Sequence, residues 1–302
     1  MNLWTLGIML VISICQAYGK MQTLVYRTQG EALVITKAIV LVEMLAGMLV
    51  VIYLGDRMTK YGIGGRTSIF FVNIIEGFLT MLFKTSPQQW ILPLSIGLLE
   101  IVIMLILENA EKRIAVQRVS IHNIYADKNY IAYKLNPIGA MPLMFSSAIF
   151  MLPHIICTML LYLMPENSTI QWILKNIVLT EIPGIWVYMG VVCLLTISLS
   201  FVMLSPGTKA EELMKVGDSI LDIYAGRQTK KYLVGNVLSI SVFSAIVMSC
   251  CMGLPLFLQF KGYMDPALVM FPSSLMMLSG LWITLYREAE VYRNADQYRP
   301  LL

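Results

Sequence analysis

Apolar residues run in long stretches along most of the chain, separated by short polar interruptions. A helix crossing about 30 Å of hydrocarbon takes roughly 20 mainly apolar residues. By that measure eight spans are predicted, at 3–18, 36–54, 67–83, 89–107, 137–164, 185–204, 234–258 and 266–286. Backbone N–H and C=O groups find no water in lipid, so runs of this length must be helices. The alternating segments of a membrane barrel do not occur. The predicted fold class is therefore all-α, a polytopic bundle of membrane-spanning helices.

Composition agrees. Of 302 residues, 58% are hydrophobic and 13% charged, where soluble domains carry about a quarter charged. Mean hydropathy is +0.73. Residues 1–19 lack a basic leading segment and the apolar runs continue after them, so they read as a span and not a signal peptide. The five cysteines sit inside apolar runs without metal-like spacing and read as small packing residues. The two histidines, His122 and His154, have no ligating company in sequence. Nucleophile elbows, zinc-protease motifs, phosphate loops and dinucleotide fingerprints are all missing from the sequence. The sequence thus predicts neither an enzyme nor a cofactor or metal, and a net charge of +4 gives no reason to expect nucleic acid.

The placement of charge orients the chain. With both termini cytoplasmic, sixteen Lys and Arg fall inside and six outside, as the positive-inside rule requires. Trp90, Trp172, Trp186 and Tyr263 then lie near outer span ends, where interfacial aromatics belong. Two inside loops are long, 108–135 and 205–233. The first mixes polar and β-favouring residues around a predicted turn at Asp127-Lys128-Asn129, and the second offers a short amphipathic helix over Ala210–Val216. Long loops on one face of a rigid scaffold commonly carry function.

Four segments occur in an order and spacing that resemble the SecY family of protein-conducting channels. They are Leu54–Gly64, Arg113-Ile114-Ala115-Val116-Gln117, Leu135–Ser147 (LNPIGAMPLMFSS) and Gly226-Arg227-Gln228-Thr229 through Tyr232-Leu233. The resemblance places the eight spans on the family's third to tenth helices. It implies a chain that lacks the first two, together with the plug and half of the lateral gate. It also divides the chain into 1–107, the remainder of the N-terminal half plus the first helix of the C-terminal half, and 108–302. The latter is the rest of the C-terminal half, with both loops and a cytoplasmic tail at 287–302. Two positions depart from the family pattern: Ala115 stands where it has proline and Tyr224 where it has arginine. Such divergence, with Met-rich helices, is similar to the accessory SecY type of Gram-positive bacteria.

The resemblance implies roles for particular residues. An apolar waist falls on Phe71, Met144 and Met277, which would seal around a moving polypeptide by dewetting and by side-chain adaptability; ordinary packing is the alternative. Asn136, Pro137, Pro142, Ser146 and Ser147 fall on the lateral gate helix. Asn136-Pro137 reads as its cap and first helical residue, and Pro142 as a break in its opening turns. Lys112, Arg113, Arg118, Tyr224, Arg227, Lys230 and Lys231 fall where a SecA-type motor ATPase would dock. SecE-like and SecG-like small membrane subunits, the bilayer, and secreted preproteins such as serine-rich cell-wall glycoproteins complete the implied partners. The implied location is the bacterial cytoplasmic membrane.

Glu43, Glu76 and Glu100 lie within spans, where an ionisable group must face protein or water. They leave open a secondary transporter for a small solute, and a channel remnant without transport is a further alternative.

Overall fold

The structure, a computed structural model, describes residues 31–118, 130–163, 167–220, 223–224 and 226–298, with scattered positions between 13 and 26. Most of the first predicted span, the predicted turn at Asp127-Lys128-Asn129, and His122 lie outside the described residues. In chain order the helices are α1 (Glu31–Tyr61), α2 (Gly65–Lys84), α3 (Ile91–Asn109), α4 (Met141–Leu163), α5 (Ser168–Asn176), α6 (Ile182–Leu204), α7 (Pro206–Val216), α8 (Arg227–Phe260) and α9 (Phe271–Tyr298). Among the described residues three strands, β1 (Glu111–Arg118), β2 (Tyr130–Lys134) and β3 (Asp218–Ile220), interrupt them. Among the described residues seven helices are long and apolar enough to cross a membrane. They account for every predicted span but the first.

Contacts divide the chain into two compact units. One comprises 1–73, 151–171 and 285–302, the other 74–150 and 172–284. In the first unit, Leu54–Gly64 forms the last turns of α1 and a tight exit, not an extended loop. Gly62 N–H bonds Met58 C=O at 2.8 Å, and Asp56 pairs with Arg66 at 2.5 Å across the turn. Gly64 has φ +78°, and a Cβ there would collide with a δ-carbon of Leu285. Only glycine satisfies both demands.

In the second unit α6 packs along α8. Ile185, Tyr188, Val192, Thr196 and Ser200 recur at helical spacing and are buried, which is one face of the helix. Small residues of α8 let the backbones close up: Ser249 Oγ donates to Met189 C=O at 3.1 Å, and a Cβ on Gly253 would meet Met189 Sδ at 2.6 Å. Gly97 of α3 faces Leu275 of α9, and Gly280 of α9 faces Met104 of α3. Lipid tails offer no hydrophobic drive between helices, so such close approach supplies the packing. The Phe78 and Phe271 rings stack at 4.7 Å.

The α4 entry corrects the reading of Asn136-Pro137 as a cap. Residues 135–140 are bends and a turn, and the helix begins at Met141. The Asn136 amide donates to Gly139 C=O at 3.1 Å and approaches Met104 Sδ at 3.8 Å. Its N–H groups hold the turn, and its Oδ1, the atom a cap would use, accepts no helix N–H. Pro142 becomes the second helical residue, where no internal bond would use its N–H, so it does not break the helix. The interior proline of α4 is Pro153.

Candidate functional site

The two long loops fold into one platform within the second unit. β1 pairs antiparallel with β2, Lys112 opposite Tyr133 and Ile114 opposite Ile131. On its other edge β1 pairs with β3 from the second loop, Val116 opposite Ile220 and Arg118 opposite Asp218. The sheet order is β2-β1-β3. Ile114, Tyr133 and Ile220 then share a buried core with Ala210 of α7 and with Leu233, Val237 and Ile240 of α8. The apolar period of two in β1 points Ile114 and Val116 inward. Sequence reasoning found the β character of the first loop and the helix of the second, seen as α7, but not their pairing. β3 is three residues long, too short to carry a period of its own.

On this platform Lys112 and Arg113 are exposed on β1, and Arg227, Lys230 and Lys231 on the first turns of α8. Arg113 lies over the Tyr130 ring at 4.7 Å and near Glu111 at 4.0 Å. Lys209 bonds Glu212 at 2.8 Å, and that carboxylate, first through the hydrogen bond and then through its charge, holds the ammonium above its usual range. Burial pushes the Tyr133 phenol up, opposed by Lys209. Tyr224 is 82% exposed. Thr229 Oγ1 donates to Tyr224 C=O at 3.0 Å and ties that residue to the α8 entry. Arg118 ends β1 opposite Asp218. The loops thus bring Lys112, Arg113, Tyr224 and the α8 basic residues to one end of the unit.

Within the helices, Phe71 is half-buried in the first unit, and Met144 and Met277 are half-buried in the second. Ser146 Oγ lies 2.7 Å from Leu143 C=O and 3.1 Å from Tyr188 Oη, while exposed Ser147 makes a 3.4 Å bond to Met144 C=O. Glu43 and Glu76 are exposed on their helices, and His154 is exposed too. Glu100 is 1% exposed, with neither carboxylate oxygen hydrogen-bonded. Among the described residues no group of three or more His, Cys, Asp or Glu is placed to hold a metal ion.

A helical membrane bundle with a sheet built from two loops at one end defines the class, a polytopic membrane protein. The SecY family model matches residues 1–286. The chain belongs to the SecY family, a family of protein-translocation channels and not of enzymes. It is similar to the accessory Sec system protein translocase subunit SecY2 of Streptococcus sanguinis, 26% identical over 86% of this chain and 65% of that one. The SecY2 of Leuconostoc gelidum is 26% identical over 85% of this chain and 64% of its own length. That of Streptococcus agalactiae serotype Ia is 27% identical over 96% and 72%. The chain therefore spans just under two thirds of the first two relatives. Among solved structures it is similar to a protein conducting channel, with TM-score 0.62 at 14% identity over 92% of this chain and 69% of that one. A SecY structure concerned with its plug domain gives TM-score 0.57 at 13% identity, over 92% and 70%. At these identities the likeness establishes the fold.

Proposed function

We propose that the chain is the channel subunit of an accessory-type Sec translocase, conducting unfolded preproteins across the bacterial cytoplasmic membrane with both termini cytoplasmic. The observation that carries the reading is the family match over 1–286, joined to relatives that are themselves accessory translocase subunits. The halves are 1–107 and 108–302. Phe71, Met144 and Met277 form the apolar waist; Asn136, Pro137, Pro142, Ser146 and Ser147 belong to the gate helix. The platform bearing Lys112, Arg113, Arg118, Tyr224, Arg227, Lys230 and Lys231 receives an acidic surface of a SecA-type motor, and complementary charge there raises on-rate and orients the partner. The motor supplies the energy and the chain does no chemistry of its own. SecE-like and SecG-like subunits brace the bundle, and serine-rich cell-wall glycoproteins are the cargo.

The solute-transporter reading has less support. Its relatives would be transporters, and Glu100, buried within a span, accepts no hydrogen bond of the kind a relay would need. The test is crosslinking of a stalled preprotein to Met144→Cys and Met277→Cys in the assembled translocase. Adducts at these positions and none at Val202→Cys, which is 70% exposed on α6, support the waist. Adducts only at exposed apolar positions reject it.

A further inference from the structure

The end of the second unit remote from the sheet holds a cleft of about 920 Å³. It lies where α3 begins, α8 ends and the short 3₁₀ turn Pro266–Leu268 leads into α9. The sheet follows the other end of α3. A helix of 19 residues separates its two ends by about 28 Å. The cleft and the platform therefore lie at opposite ends of α3, a helix long and apolar enough to cross a membrane.

The chemistry of the walls selects a ligand class. Gln88 and Gln89 come from the 3₁₀ turn Pro87–Trp90 and Gln259 from the last turn of α8. The first two are exposed and the third half-buried. Each primary amide offers donors and an acceptor. Leu92, Pro93 and Phe260 supply apolar wall in the same cleft. Among the described residues no Lys or Arg lines the cleft, and the one charged group there is Asp265, whose Oδ1 already accepts the Ala267 N–H at 2.9 Å. Anionic ligands such as phosphates have nothing to pair with here. An extended polypeptide presents amide N–H and C=O groups along both edges and side chains alternately to each face. Amides on two separate elements, with apolar wall in the same cleft, match that pattern.

We propose that this cleft binds an extended, uncharged segment of polypeptide at the end of α3 opposite the platform. The ligand class stands on the walls alone. That the segment belongs to the transported chain rests on the channel reading above.

The test uses the chain in phosphatidylcholine nanodiscs and a short dansyl-labelled peptide of Ser, Asn and Gly. Saturable binding is expected, weakened about tenfold or more when Gln88, Gln89 and Gln259 are all changed to Ala, since each amide bond contributes on the order of 1 kcal/mol. If that triple variant does not elute like the parent, Gln259→Leu alone is read in the same way. The absence of saturable binding, or equal binding by the variant, overturns the proposal. So does displacement of the peptide by a maltooligosaccharide or by glycerophosphocholine, which would make this a glycan or headgroup site. Peptide binding needs no translocation, so the two readings fail separately. Crosslinks at Met144 without peptide binding sink the cleft alone, and peptide binding without crosslinks sinks the channel alone.

Discussion

Tyr188 of α6 donates its hydroxyl proton to Ser146 of α4. The serine has one proton, and it goes to Leu143 C=O at 2.7 Å, so the 3.1 Å contact between the hydroxyls runs from tyrosine to serine. Both residues are buried, and Phe150 meets the Tyr188 ring edge-on at 5.5 Å. The bond fastens the entry of the proposed gate helix to its neighbour. Ser146→Ala strands a buried phenol and is expected to cost about 1–3 kcal/mol, whereas Tyr188→Phe leaves Ser146 satisfied by Leu143 and costs less. Denaturation in mixed micelles compares the two variants. Equal costs, or a larger one for Tyr188→Phe, would contradict the donor assignment.

Gly64→Ala is expected to destabilise the first unit by more than about 1 kcal/mol, because positive φ and the nearby Leu285 both resist a Cβ. Gly47→Ala, in mid-α1 with nothing within 4 Å, serves as the control and should be neutral or slightly stabilising. Thermal unfolding followed by loss of monodisperse elution reads both, and similar midpoints would show that the turn is not under this constraint.

Glu100 carries buried polar atoms that receive no hydrogen bond. Unpaired burial of that kind costs free energy, so Glu100→Gln should be close to neutral for transport and Glu100→Met should hold or raise stability. Loss of transport in Glu100→Gln with folding intact would return the acid to a coupling role and favour a solute transporter.

The proposed docking surface and its support can be separated by experiment. Reversing Arg227, Lys230 and Lys231 to Glu leaves the core of Ile114, Leu233 and Val237 in place, and should slow motor association most at low salt. Leu233→Ala removes a side chain with 0% exposure and is expected to cost about 2–5 kcal/mol. Surface plasmon resonance across salt concentrations distinguishes them: a charge-reversed chain that binds the motor at the parent rate would move the docking site elsewhere.

How legible these features were in sequence follows from their range. Apolar run length located α1, α2, α3, α4, α6, α8 and α9 because lipid imposes a local rule on each span. Ala210–Val216 gave α7 for the same local reason. The β1–β3 pairing joins Val116 to Ile220, about a hundred residues apart, and nothing local in a three-residue strand announces it. Asn136 misled because its side chain satisfies Gly139 C=O within its own turn, a local bond that replaces the capping role asparagine-proline suggests. The cleft of Gln88, Gln89 and Gln259 was invisible for a related reason. Its walls come from distant segments, and glutamine carries no motif.

That a polypeptide passes through this bundle is tested most directly in vesicles holding the complete translocase and its motor. An unfolded preprotein should become protease-protected on addition of ATP, with no accompanying uptake of sugars or ions. Proton-coupled solute uptake without any protected polypeptide would contradict the account.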